Sequence, residues 1–154
     1  MATLKSKTLF FTTSPRSPLK MIPEIRLLTD HFTGKVWNKI TQVEFIELLS
    51  QDTHFEGQGS QRDLAFSARD RINRAPKALG FVNLKPTIQL TAAGEDFISE
   101  KRSEEALLRQ LLKFQLPSPY HTEPLSKESV FWVKPYLEIL RLIYTLEKVT
   151  FDEV

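Results

Sequence analysis

The sequence predicts a mainly α-helical fold with one small β-hairpin, followed by additional C-terminal helices. Apolar residues recur at helical spacing in several segments, and two short apolar runs flank Lys85-Pro86. Two further segments rich in leucine and isoleucine follow residue 100. With 154 residues, 41% of them hydrophobic and 26% charged, the chain is large enough to bury a core of its own.

The first element predicted is a short strand over residues 5–13, and the segment Ser-Pro-Arg-Ser-Pro follows at 14–18. Proline restricts its own φ and that of the residue before it, so this segment should be stiff and should hold Arg16 outward. Ser17 is expected to cap a helix that has Pro18 at its first position. A start at residue 22 stays open. One side of this helix should carry Ile22, Ile25, Leu28 and Phe32.

The second predicted helix spans residues 36–50, and its apolar stripe is expected to be Val36, Ile40, Val43, Ile46 and Leu49. A loop carrying two glycines follows. Two capping boxes, Ser60-x-x-Asp63 and Ser67-x-x-Asp70, then predict a short helix, a turn and another helix beginning near Ala68.

That third helix is basic and amphipathic. Its buried stripe should be Ala68, Ile72, Ala75 and Leu79, spaced 4, 3 and 4 residues apart. The side facing away from this stripe should carry Asp70, Asn73, Arg74 and Lys77, with Arg69 and Arg71 on its two flanks. Pro76 is expected to kink the helix near its end at Gly80.

Two short strands, "FVNL" and "TIQL", then flank Lys85-Pro86, and the next helix opens at Thr91. Helix, turn, basic helix, hairpin is the order of a winged helix-turn-helix. A domain of this type is predicted for residues 1–100, including the N-terminal strand and arm. Residues 101–154 should form a second, helical part, with helices over 103–116, capped by Ser103, and over 134–148.

The distribution of charge favours a polyanionic partner. Residues 1–40 carry 7 basic and 2 acidic side chains and residues 61–80 carry 5 and 2, although the whole chain has a net charge of only +2. Two basic segments separated by an acidic helix indicate one basic face. A solvated surface without a partner remains the alternative.

The sequence lacks the usual motifs of an enzyme. It has no cysteine and no Gly-rich phosphate loop, and its three histidines are far apart. None of its Asp or Glu residues has Lys two positions later, so the common metal-dependent nuclease motif is absent. No apolar run approaches 18 residues, so no membrane partner is expected, and the missing cysteines fit a reducing cytoplasm. We therefore expect no catalytic residue, metal site or cofactor in this chain.

The basic helix has the side chains that read DNA in the major groove. Arginine can bridge guanine, asparagine can bridge adenine, and lysine can neutralise phosphate. Asp70 could cap its own helix, which is the favoured role, accept from a cytosine amino group, or hold a neighbouring arginine. The helix N-terminus beside Arg16 and Lys20 could bind a phosphate, or the arm could enter a groove, or it could be a structural turn. The predicted DNA-binding residues are Arg16, Ser17, Lys20, Arg62, Ser67, Arg69, Asp70, Arg71, Asn73, Arg74, Lys77 and Lys85.

The chain also resembles the N-terminal recognition region of the AlwI-like type IIS restriction endonucleases and their strand-nicking relatives. The resemblance covers nearly the whole chain and rests on "SPRSPLKMIPEI" (14–25), "AFSARDR" (65–71), "LGFV" (79–82), "LTAAG" (90–94) and "LLRQLLKFQLPS" (107–118). It implies a bacterial cytoplasmic protein that recognises a short asymmetric DNA site as a monomer. In that family a separate C-terminal domain cuts the DNA with Mg²⁺. Since this chain ends before such a domain, it is expected to be part of a larger protein and to bind DNA without cutting it.

Two other classes of function compete with this interpretation. A winged-helix transcription regulator would dimerise, with residues 134–148 as a candidate dimerisation helix, and would bind a palindromic site. A winged helix that binds another protein would not bind DNA, and neutralising Arg69, Arg71 and Arg74 would then leave DNA affinity unchanged at nil.

Overall fold

A computed structural model describes residues 18–51, 63–116, 133–148 and 150. In these residues the chain is mainly helical, with a small antiparallel sheet of two strands. The helices are α1 (Met21–Phe32), α2 (Lys39–Leu49), α3 (Leu64–Ala78), α4 (Ala92–Ile98), α5 (Ser103–Lys113) and α6 (Pro135–Leu146), and the strands are β1 (Val82–Asn83) and β2 (Gln89–Leu90). The strand predicted over residues 5–13 lies outside the described part of the chain.

The described residues belong to two compact units, whose boundary falls inside α5 between residues 107 and 108. The first unit contains α1 to α4 and both strands, and the second contains α6. In the described segments, no helix is both long enough and apolar enough to cross a membrane.

Helix α1 confirms the face predicted from its apolar spacing. A 3₁₀ turn over Pro18–Lys20 precedes it, so the α-helix itself begins at Met21, next to the alternative start at residue 22 and three residues after Pro18. The predicted residues Ile22, Ile25, Leu28 and Phe32 are all buried. They are joined by Met21 and Glu24, and the buried carboxylate of Glu24 requires a partner.

The apolar stripe predicted for the second helix is wrong at its N-terminal end. Asn38 caps α2 by accepting hydrogen bonds from the backbone N–H groups of Ile40 and Thr41. Val36 therefore precedes the helix, and Ile40 lies in its first turn with 68% of its surface exposed. The buried face is instead formed by Thr41, Gln42, Phe45, Ile46 and Leu49.

The third helix is longer than predicted. It is continuous from Leu64 to Ala78, so the turn expected before Ala68 does not exist. Asp63 caps it by accepting from the N–H of Phe66 at 2.8 Å. Ser67 lies inside the helix, and its hydroxyl donates to the carbonyl of Asp63 at 3.3 Å. The second capping box was thus wrong: a cap one turn earlier satisfies the helix end.

The buried stripe of α3 is as predicted, with Ala68, Ile72, Ala75 and Leu79 all buried. The helix continues through Pro76 to Ala78, and Pro76 itself is buried. It then ends in a Schellman motif, in which Gly80 donates to the carbonyl of Lys77 and Phe81 to that of Pro76, both at 2.9 Å. Gly80 has φ +75°, a conformation that glycine adopts without strain.

This helix end leads directly into the predicted hairpin. Val82 pairs with Leu90 and Asn83 with Gln89 in antiparallel register. The segment between α1 and α2 lies beside the hairpin, since Gly34 N–H donates to Ile88 at 2.9 Å and Ile88 N–H donates to Lys35 at 2.8 Å. The hairpin is therefore attached to the helical core on that side.

Helix α4 closes the first unit by packing against the start of the hairpin. Thr91 caps it, as predicted, and the rings of Phe81 and Phe97 stack with centroids 4.2 Å apart. A Cβ on Gly94 would lie 2.2 Å from the carbonyl oxygen of Phe81, so only glycine fits this close approach. Arg26 of α1 donates to the carbonyl of Ile98 at 2.6 Å, at the last turn of α4.

Helices α5 and α6 end earlier than the predicted ranges of 103–116 and 134–148. Ser103, predicted as the cap of α5, is its first helical residue, and α6 has Pro135 in its first turn, as expected. In the second unit, Phe114 and Tyr136 are in edge-to-face contact at 5.9 Å. Among the described residues of α6 none is buried, and its exposed apolar side chains are Leu140, Ile143, Tyr144 and Leu146.

Candidate nucleic-acid interface

Helix α3 carries seven of the twelve residues predicted to bind DNA, and four of the seven lie on its outward face. Asp70, Asn73 and Arg74 are partly exposed and Lys77 is exposed. All four lie opposite the buried alanine and isoleucine stripe, as their spacing predicted. The contacts of these side chains divide them into residues that present a polar group outward and residues that hold the helix in place.

Arg71 belongs to the second group. Its guanidinium donates to the carboxylate of Glu24 on α1, in an ion pair whose side chains are 24% and 9% exposed. Burial raises the pKa of the Glu24 carboxyl, while the charge and hydrogen bond of Arg71 oppose that rise. The contact joins α3 to α1 on the flank of the helix, away from its most exposed line.

Asn73 is also engaged by the core. The indole N–H of Trp37 donates to its side-chain oxygen at 3.0 Å. Trp37 in turn packs edge-to-face against Phe45 of α2, with ring centroids 5.9 Å apart. The amide oxygen that would accept from the N6 amino group of adenine in a bidentate contact thus already accepts from tryptophan, which fixes the orientation of the side chain.

Asp70 and Arg74 form a pair on the outward face. The arginine Nε lies 2.6 Å from Asp70 Oδ1, across one turn of the helix. Of the three roles open for Asp70, this contact corresponds to holding a neighbouring arginine. The capping role is wrong, because the helix begins at Leu64 and Asp70 lies well inside it. A carboxylate at Nε fixes the plane of the guanidinium.

Arg69 reaches toward α2 from the other flank. It donates to the side-chain oxygen of Gln42 at 3.1 Å and lies 4.0 Å from the carboxylate of Asp63. Its guanidinium carbon is 5.9 Å from the ring centroid of Phe66. The hydrogen bond to Gln42 fixes the direction of the Arg69 side chain. Because 42% of that side chain is exposed, the guanidinium remains accessible.

Two further predicted residues lie elsewhere in the described part of the first unit. Lys85 is exposed at the end of the hairpin, and Lys20 is exposed in the turn before α1. Arg16, Ser17 and Arg62 lie outside the described residues, so the predicted arm and its anion site stay predictions.

Sequence reasoning missed four residues of this region. Gln42, Glu24 and Trp37 orient the arginines and the asparagine, and they lie 27, 47 and 36 positions away from their partners. Such contacts between distant segments have no local sequence signal. Phe66 could have been found: it precedes Asp70 by four residues, at the spacing of the outward face, but a helix start near Ala68 excluded it.

Among the described segments, no three histidine or acidic side chains come together in a way that could hold a metal ion. In comparisons with known proteins, no protein-family model matches the chain, and no curated protein or solved structure does. The resemblance to the AlwI-like enzymes accordingly remains a prediction from sequence motifs.

Proposed function

We propose that this protein binds double-stranded DNA in a sequence-specific manner, with α3 as the recognition helix of a winged helix-turn-helix. The observation that carries the proposal is the outward face of α3. Arg74 on this face and Arg69 on its flank are each oriented by a polar partner, and Lys77 lies at the exposed end of the face.

The order and contacts of the elements support the winged arrangement. Helices α1, α2 and α3 precede the β1–β2 hairpin, and the segment at Gly34 and Lys35 hydrogen-bonds to Ile88 beside it. With 15 residues, α3 is about 22 Å long, and the major groove of B-DNA, about 12 Å wide, accepts a helix of this kind.

The side chains then take different roles. Arg74, its guanidinium plane set by Asp70, is the candidate for a bidentate contact with guanine O6 and N7. Lys77 and Lys85 are candidates for phosphate contacts, since lysine is a compact, flexible charge. Arg71 and Asn73 contribute by holding α3 against α1 and Trp37, and not by touching bases.

The carboxylates do not oppose this proposal. Asp63 and Asp70 lie on the DNA-facing side, where an unpaired negative charge would repel phosphate. Each lies beside an arginine, at 4.0 Å from Arg69 and 2.6 Å from Arg74 respectively. Arg69, Arg74 and Lys77 thus outnumber the two carboxylates, and each carboxylate is paired with one of the arginines.

By its motifs the module is proposed to be the target-recognition part of a type II restriction or nicking endonuclease. Double-stranded DNA with a short asymmetric site is then the partner. A cleavage domain or second subunit of the parent enzyme would supply the Mg²⁺-dependent chemistry.

The test is selection from a random duplex pool near physiological salt, followed by sequencing of the retained DNA. Enrichment of one short asymmetric site is expected. Retention of no duplex, by a chain whose cooperative unfolding proves that it is folded, would refute the proposal.

A dimeric transcription regulator is the second candidate, favoured by α6. Its exposed apolar side chains include Leu140, Ile143 and Tyr144, the last with 89% of its surface exposed. A dimer would select an inverted repeat, and sedimentation would report twice the monomer mass. The asymmetric-site proposal predicts a monomer at the same protein concentration.

A further inference from the structure

One large apolar side chain stands among the polar groups of α3. Phe66 has 53% of its surface exposed, although it belongs to a helix of the folded core. It lies in the first turn, where Asp63 accepts its backbone N–H at 2.8 Å. Side chains on a helix lean toward its N-terminus, so the ring covers the first turn of α3.

The surroundings of the ring keep it at the surface. Its neighbours Ala65 and Ala68 point into the core on the opposite side. The guanidinium of Arg69 lies 5.9 Å from its centroid, and Gln42 holds that guanidinium at 3.1 Å. The ring and the cation thus form one mixed apolar and charged surface at the start of the helix.

This location determines what the ring can touch in the proposed complex. In helix-turn-helix proteins, the N-terminal residues of the recognition helix contact base edges. A phenyl ring can neither donate nor accept a conventional hydrogen bond, so it adds nothing to the readout of amino and keto groups. The apolar feature of the major-groove base edges is the methyl group on C5 of a pyrimidine.

We infer that Phe66 is a specificity-determining residue that recognises the C5 methyl group of one pyrimidine in the DNA site. The inference rests on the proposed function and adds a base preference to it. Thymine and 5-methylcytosine both carry this methyl group at the same place in the groove. The experiment distinguishes them.

The duplex selected by the protein is resynthesised with each thymine replaced in turn by uracil, which lacks only the methyl group. At one position the wild type should bind the uracil duplex about threefold to fivefold more weakly. Phe66→Ala should bind both duplexes equally, whereas Phe66→Leu should keep part of the preference. Leu108→Ala, with the same 53% exposure but on α5, should behave as the wild type.

A second series methylates each cytosine of the site at C5. If Phe66 recognises thymine, the affinity falls when that thymine is replaced by uracil. If Phe66 recognises 5-methylcytosine, the affinity rises by a similar factor when that cytosine is methylated. If a selected site shows neither effect, or if Phe66→Ala keeps the effect, the inference is overturned while DNA binding stands. If no duplex is selected, the proposed function fails and the inference fails with it.

Discussion

The guanidinium of Arg71 on α3 is bound to the carboxylate of Glu24 on α1, 47 positions away in the chain. Only 9% of the Glu24 side chain is exposed, so solvent could replace little of this contact. A residue that looks like a base-reading arginine in the sequence therefore joins α3 to α1. Its removal should affect folding before it affects recognition.

We expect Arg71→Ala to lower the free energy of unfolding by about 3 kcal/mol near pH 7, because a buried carboxylate loses its cation. Urea denaturation measures this loss. Arg69→Ala is the matched control: that side chain is 42% exposed, its hydrogen-bond partner Gln42 is neutral, and the carboxylate of Asp63 at 4.0 Å is itself 54% exposed, so the change should stay within about 0.5 kcal/mol. An Arg71→Ala variant of normal stability with relaxed base preference would return Arg71 to the DNA-reading set.

Glu24 should give the protein a characteristic dependence on pH. Burial raises the pKa of its carboxyl above the ordinary 4.5, so between pH 4.5 and the folded pKa the folded protein holds a proton that the unfolded chain releases. Stability from this group is therefore fully present below pH 4.5 and is lost as pH rises through the folded pKa.

Glu24→Gln removes this titration and leaves the others in place. The free energy of unfolding of the wild type, relative to the variant, should fall as pH rises above 4.5 and become constant above the folded pKa. Urea denaturation at a series of pH values gives this difference. A difference that increased with pH would mean that Arg71 outweighs burial and lowers the pKa.

Asn73→Ala should cost about 1 kcal/mol of stability, because the indole N–H of Trp37 loses its acceptor. Base preference in the selection experiment should not change. A double-mutant cycle with Trp37→Phe isolates the hydrogen bond, since the loss should disappear in the Trp37→Phe background. Unchanged stability with a relaxed preference at an adenine would instead identify Asn73 as a base-reading residue.

Gly94→Ala tests the packing that attaches α4 to the hairpin. The new Cβ would lie 2.2 Å from the Phe81 carbonyl oxygen and 2.6 Å from Leu90 Cδ1, so backbone must move. We expect a loss of about 2 kcal/mol in thermal or urea unfolding, despite the higher helix propensity of alanine. At Gly34 a Cβ would have open space, but φ is +82°, so Gly34→Ala should cost only about 1 kcal/mol. Equal costs at the two glycines would contradict the steric account.

What could be predicted from sequence was local. The period of Ile22, Ile25, Leu28 and Phe32 identified the buried face of α1, because a helix repeats its faces every 3.6 residues. Capping was less decisive. The two predicted capping boxes placed helix starts at Ser60 and Ser67, whereas Asp63 caps α3 and lets its first turn bury Ala65.

For the candidate site, the sequence predicted which side chains share one face of α3, but not which partners they contact. Helical spacing placed Asp70, Asn73, Arg74 and Lys77 on one side, as observed. The roles of individual side chains depend on partners from other helices, such as Glu24, and local sequence contains no information on those distances. The same is true of the segment at Gly34, which meets the hairpin 54 residues later at Ile88.

The hairpin gives the most direct electrostatic test of the proposed complex. Lys85 is exposed at its end, outside α3, and a wing lying along the DNA backbone would bring such a lysine to a phosphate. Each phosphate contact adds about one to the slope of log affinity against log salt concentration. Lys85→Ala should therefore weaken binding to the selected site and to random DNA by the same factor, and should lower the slope by about 1.

Lys101→Ala is the control: it removes the same charge from the exposed turn between α4 and α5 and should leave the slope unchanged. If both variants lowered the slope equally, the effect would come from net charge alone, and the hairpin would have no place at the DNA backbone.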